Sequence, residues 1–79
     1  MPKALLTRIE QYVVDVVKKK RLEKGYSQKE LAYLIDKSIG FIGDVESRKG
    51  RAKYNLNHIN DLAKVFECSP KDFLPEKGL

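Results

Sequence analysis

The stretch SQKELAYLIDKSIGFIGDVES, residues 27 to 47, constrains the fold most, because it signals two helix starts in quick succession. Ser27 can cap a helix, and Glu30, three residues on, completes a capping box ahead of Leu31, Ala32, Leu34 and Ile35. Asp36 and Lys37 interrupt that run, and Ser38 offers a fresh cap. Apart from glycine, Asn and Asp best tolerate a left-handed backbone, so Asp36 fits a tight turn between two short helices. The second is expected over residues 39 to 47. Gly40 and Gly43 each cost it roughly 1 kcal/mol against alanine. Ile42 and Val45, three apart, can face inward together while Gly40, Phe41, Gly43 and Asp44 point mostly elsewhere. A strand would need strict alternation, which the run lacks.

The rest of the chain is helical too. Leu5, Ile9, Tyr12, Val13, Val16, Val17 and Leu22 recur at three- and four-residue spacing, which predicts a first helix closed by Gly25. Its carboxyl end gathers Lys18, Lys19, Lys20, Arg21 and Lys24, where cations suit the helix dipole. From residue 47 runs a polar loop, SRKGRAKYN, whose charged residues are all basic. Asn55 then caps a fourth helix with an apolar face of Leu56, Ile59, Leu62, Ala63 and Phe66. The sequence SPKDFL predicts a brief fifth, with Ser69 as cap, Pro70 at the first helical position, Asp72 in the capping-box place and Pro75 as the stop. The expectation is an all-α, compact five-helix bundle.

Size and composition bound what such a bundle can do. Seventy-nine residues are enough for one domain and too few for a second core. Sixteen Lys and Arg against eleven Asp and Glu leave a net charge of +5, which favours a polyanionic partner. Cys68 is the single cysteine, so no disulfide or cysteine metal cluster forms within one chain, in keeping with a reducing interior. No run is long and apolar enough for a membrane span, and the chain reads as soluble and cytoplasmic. His58 has no Asp, Glu or Cys at ligand spacing, and no nucleophile has an adjacent base. Neither an enzyme nor a metal, cofactor or membrane protein is expected. The scattered tyrosines make no stacking platform for RNA, although Tyr54, beside the basic loop, could touch a phosphate.

Two short helices and a tight turn in a basic helical domain suggest a helix-turn-helix. The segment 27 to 47 resembles the Cro and phage-repressor type, the XRE family, in its Ser-Gln, Glu-Leu-Ala, turn, serine cap, isoleucine and closing glutamate. Arg21, Asn55-Leu56 and LAKVFECSPKDFL extend the likeness, which covers about residues 13 to 74 and leaves 1 to 12 as an amino-terminal helix extension of the same domain. The resemblance implies a lambda-repressor-like bundle with the motif at about residues 28 to 46, Ala32 at the helix crossing, and Leu31, Ile35, Ile42 and Val45 in a core with Val17, Leu22, Leu62 and Phe66. It also implies a pair between Arg21 and Glu46 that orients the helices.

The same resemblance implies double-stranded DNA as partner, with the helix of residues 39 to 47 in the major groove. Gln28 would bond the backbone at the start of the first motif helix, and Lys37, Arg48, Lys49, Arg51 and Lys53 would flank the duplex. Ser38, Ile39, Gly40, Phe41 and Asp44 would face the bases. That set is poor in the donors that usually read base edges, so phosphate positioning and DNA shape would carry more of the selectivity. The function implied is a small, repressor-like transcriptional regulator that binds as a homodimer on DNA. The competing expectations are a protein-interaction module that keeps the fold and offers Ile39 and Phe41 to a protein partner, or an antitoxin-type autoregulator.

Overall fold

Among the described residues every α-helix starts at a side-chain oxygen that accepts the backbone N–H three residues on, as expected at Ser27, Ser38 and Asn55 and as found also at Thr7. The computed structural model describes residues 6–47 and 51–79. Helices α1 (Arg8–Lys24), α2 (Gln28–Leu34), α3 (Ile39–Glu46) and α4 (Leu56–Phe66) are capped by Thr7, Ser27, Ser38 and Asn55. Glu10 and Glu30 return the bond to the cap N–H of α1 and α2, and at α4 the imidazole of His58 does so.

Three of the four helices stop in the same way, on a residue with a left-handed backbone: Gly25 (φ 75°) after α1, Asp36 (φ 56°) after α2 and Glu67 (φ 55°) after α4. At each stop the next residue's N–H reaches back to a carbonyl of the last turn, from Tyr26 to Arg21, Lys37 to Ala32 and Cys68 to Ala63. Each is a Schellman closure, and only the first uses glycine, the residue that adopts this backbone without strain.

The expected fifth helix is a 3-10 turn, Pro70–Phe73, so the described residues form four α-helices and no strand. Its cap is as expected: Ser69 accepts from Lys71, and Asp72 accepts the Ser69 N–H. An α-helix has no room there, because Pro75 drives Leu74 to extended backbone (φ −111°, ψ 149°) one residue beyond the turn.

One core joins all these elements, drawn from Val13, Val14, Val17, Leu31, Ala32, Ile35, Ile42, Val45, Tyr54, Ile59, Leu62, Ala63, Phe66 and Phe73. Four positions of the expected apolar stripes, Ile9, Tyr12, Leu22 and Leu56, do not face it. Leu22 is 59% exposed. The buried stripe of α1 continues from Val17 to Arg21, one turn on, and Leu22 lies about 100° round the helix from Arg21. Leu56, the first residue of α4, is exposed, while Ile59, Leu62, Ala63 and Phe66 carry the buried face. Leu5 lies outside the described residues. Fully buried Phe73 brings the carboxyl-terminal turn against Phe66, ring centroids 6.3 Å apart, and the Lys20 Nζ stands 5.8 Å from the Phe73 ring centre.

Candidate nucleic-acid interface

Asp36 sets the joint of the two central helices. Its N–H donates to the Tyr33 carbonyl at 3.2 Å, the Lys37 N–H donates to Ala32 at 2.8 Å, and Ser38 then opens α3 by accepting the Phe41 N–H at 3.0 Å. Ile42 and Val45 turn into the core and pin α3 from beneath. Ser38, Ile39, Gly40 and Asp44 are exposed on its other side, with Ile39 51% exposed.

A buried polar cluster fixes the far end of α3. The Arg21 Nε and Nη2 donate to the two carboxylate oxygens of Glu46, both at 2.8 Å, and Nη1 donates to the Tyr26 carbonyl, also at 2.8 Å. The two side chains are only 8% and 3% exposed. Paired in this way, the guanidinium holds its proton more tightly than usual, the Glu46 hydrogen bonds outweighing the cost of burial. Gln28 joins from α2, its Nε2 donating to the Glu46 Oε1 at 3.2 Å. The end of α1, the start of α2 and the end of α3 are therefore tied at one carboxylate, and Arg21 adds the connection between α1 and α2 through the Tyr26 carbonyl. The expected Arg21–Glu46 pair is present. Gln28, expected to point its side chain at a phosphate, has one of its two amide hydrogens engaged with Glu46, and its Oε1 lies 3.7 Å from where a Cβ on Gly43 would sit.

Phe41 departs from the expected outward orientation. It is half-buried, its ring centroid 5.0 Å from His58 and 5.9 Å from Tyr54. Tyr54 and His58 stand edge-on to each other at 6.1 Å, closing a three-ring contact between α3 and the segment that opens α4. Tyr54 is buried and does not reach the surface to touch a phosphate. Its hydroxyl has no hydrogen-bond partner among the described residues. Burial, reinforced by the nearby Glu46 carboxylate, pushes this phenol far above its ordinary value and keeps it protonated. The His58 Nδ1 accepts the Asn55 N–H at 3.0 Å, which places the neutral ring's proton on Nε2. Burial first and the Lys37 charge second hold the imidazole below its usual 6.5, against a smaller opposing effect of Asp61.

The basic residues divide. Lys37 and Arg51 are exposed, at the turn and in the loop. Lys53 is exposed but turned toward α1, its Nζ 2.8 Å from the Glu10 Oε2. That bond, with the Thr7 backbone bond second, pulls the Glu10 carboxyl below its ordinary value. An exposed pair of this kind is screened by solvent and contributes little, so it does not bar Lys53 from a phosphate. Arg48 and Lys49 lie outside the described residues. Sequence reasoning passed over His58 as ordinary and missed its contact with Phe41. The signal was present three residues after the Asn55 cap, where a capping box usually carries Glu or Gln. Cys68 is half-buried. Among the described residues no group of His, Cys, Asp and Glu could hold a metal ion, and no helix is long and apolar enough to cross a membrane.

Compared with known families, the chain matches the helix-turn-helix family model over residues 17–73, from the middle of α1 through the 3-10 turn. The match takes in Arg21, both motif helices, the joint at Asp36, the basic loop and the segment carrying Tyr54 and His58. No curated protein matches the chain. The chain belongs to this family, the Cro/C1-type or XRE helix-turn-helix domains, which bind DNA and regulate transcription.

Proposed function

We propose, from that membership, that the chain is a sequence-selective binder of double-stranded DNA and a small, repressor-like transcriptional regulator of the cytoplasm, without catalytic activity or cofactor. In this reading residues 1–79 act as one domain and α3 enters the major groove. Ser38, Ile39, Gly40 and Asp44 meet base edges, with Phe41 contributing only the rim of its ring. The backbone at Gln28, together with Lys37, Arg51, Lys53, Arg48 and Lys49, holds phosphates on either side. Two copies occupy paired half-sites. What carries the reading is that the exposed face of α3 is braced from behind by the buried Arg21–Glu46 pair, with basic groups on both flanks. A helix so held can be presented to a groove without reordering.

The test is a salt titration on duplexes selected from a random pool. Each phosphate neutralised should contribute about −0.9 to the slope of log affinity against log salt, and replacing Arg51 and Lys53 by alanine should flatten that slope by roughly 1 per lost contact on every sequence alike. Saturation should place two copies on a two-half-site duplex. Affinity indifferent to salt would sink the reading.

A second reading rests on a different observation, the exposure of Tyr33, Leu34 and Ile39 near the α2–α3 joint. There the fold serves as a protein-interaction module. It requires Ile39→Ala to abolish a protein contact and leave duplex affinity alone.

A further inference from the structure

We propose that His58, which lies outside the helix-turn-helix, is the positioning residue of α3, holding it through Phe41 while the imidazole is neutral and loosening it when the ring takes up a proton. The proposal rests on the reading of α3 as the helix that meets DNA.

The simpler role for His58 is to cap α4. A capping glutamate or glutamine would do that equally well and would bring no ring. Here the bond that caps the helix also aims the ring: with Nδ1 fixed on the Asn55 N–H at 3.0 Å, the imidazole stands 5.0 Å from the Phe41 ring at an angle of 53°. Tyr54 closes the third side, edge-on to both at 72° and 80°. Tyr54 belongs to the buried core, so the seat of Phe41 is backed by that core. On α3, Phe41 lies between Gly40 and Ile42 and three residues before Asp44, so a small rotation about this seat carries Gly40 and Asp44 across the groove-facing side.

Protonation undoes the seat. With a hydrogen on Nδ1, the imidazole presents a donor to the Asn55 N–H, itself a donor, and the capping bond is lost. Around the ring stand Lys37 from the α2–α3 joint, Asp61 one turn on along α4, neutral Tyr54, and the tilted ring of Phe41. Asp61 favours a cation, whereas burial and Lys37 oppose it. The balance in the folded chain lies with the neutral ring, as its lowered pKa records.

His58 is the chain's one histidine, which makes the experiment clean. Discrimination, the ratio of affinities for a selected and a scrambled duplex, is measured from about pH 8 down to pH 5, for the wild-type chain, His58→Gln and Phe41→Leu. Glutamine keeps a capping acceptor but has neither ring nor titration. Thermal unfolding and the Phe41 ring proton shifts are followed alongside. Wild-type discrimination should fall about tenfold as His58 protonates, the worth of one good base contact. His58→Gln should unfold near the wild-type temperature, discriminate poorly at every pH and lose the pH dependence, and Phe41→Leu should resemble it. If His58→Gln discriminates like the wild type, or wild-type discrimination ignores pH, His58 only caps α4. If His58→Gln does not fold, the wild-type pH profile decides. If the wild type binds no duplex at any salt, the function proposed above fails. Even then, Phe41 ring shifts that do not follow the His58 titration overturn the seat itself.

Discussion

Glu46 accepts three hydrogen bonds while 3% exposed, two from Arg21 and one from Gln28. Such a carboxylate is tolerable in an interior only because its partners replace the water it lost. Glu46→Ala would strand the Arg21 guanidinium, itself 8% exposed, with only the Tyr26 carbonyl. The expected cost is about 3 to 5 kcal/mol, read as a lower urea midpoint at unchanged slope. A loss under about 1 kcal/mol would mean that water reaches the guanidinium and the pair braces nothing. The pair itself was legible as a family likeness. The third bond, from Gln28, was not, because it depends on how closely α2 approaches the end of α3, and residue spacing carries no such distance.

At the scale of the element, α3 has two unlike sides. Ile42 is completely buried whereas Ile39, three residues earlier, is half in solvent. Ile42→Ala should therefore cost about 2 to 5 kcal/mol, the penalty of a cavity that the surrounding helices only partly close. Ile39→Ala should stay within about 0.5 kcal/mol. Thermal or urea unfolding of the two variants checks the contrast, and equal losses would mean that α3 is rotated from the orientation described. The helix starts, the joint at Asp36 and the Ile42–Val45 pair could be read ahead of the structure because caps and three-residue spacing are local. Phe41 could not. Its half-burial depends on the path of the segment from Tyr54 to His58, which returns across α3 from outside the motif, and no periodicity within α3 reports it.

Over the whole molecule, the core followed from apolar periodicity through the middle of α1 and along α4, but not at Ile9, Tyr12, Leu22 and Leu56, which are exposed. Leu22 seemed a natural continuation of the α1 stripe, but the stripe's next position belongs to Arg21, whose aliphatic stem is buried while its head pairs with Glu46. The last segment was misjudged in kind, not in place, since Pro75 leaves an α-helix no room to develop. The left-handed stop at Glu67 has a practical consequence. A side chain in that backbone region carries roughly 1 to 2 kcal/mol of strain, which glycine relieves at the expense of about 0.4 to 1 kcal/mol of extra freedom in the unfolded chain. Glu67→Gly should therefore leave a net gain between nothing and about 1.5 kcal/mol, with a melting temperature higher by about 4 to 8 °C for each 1 kcal/mol, readable by calorimetry. Position 67 sits at the opposite end of α4 from His58, so the heat tolerance of this regulator can be raised without altering the surface by which it would choose its operator.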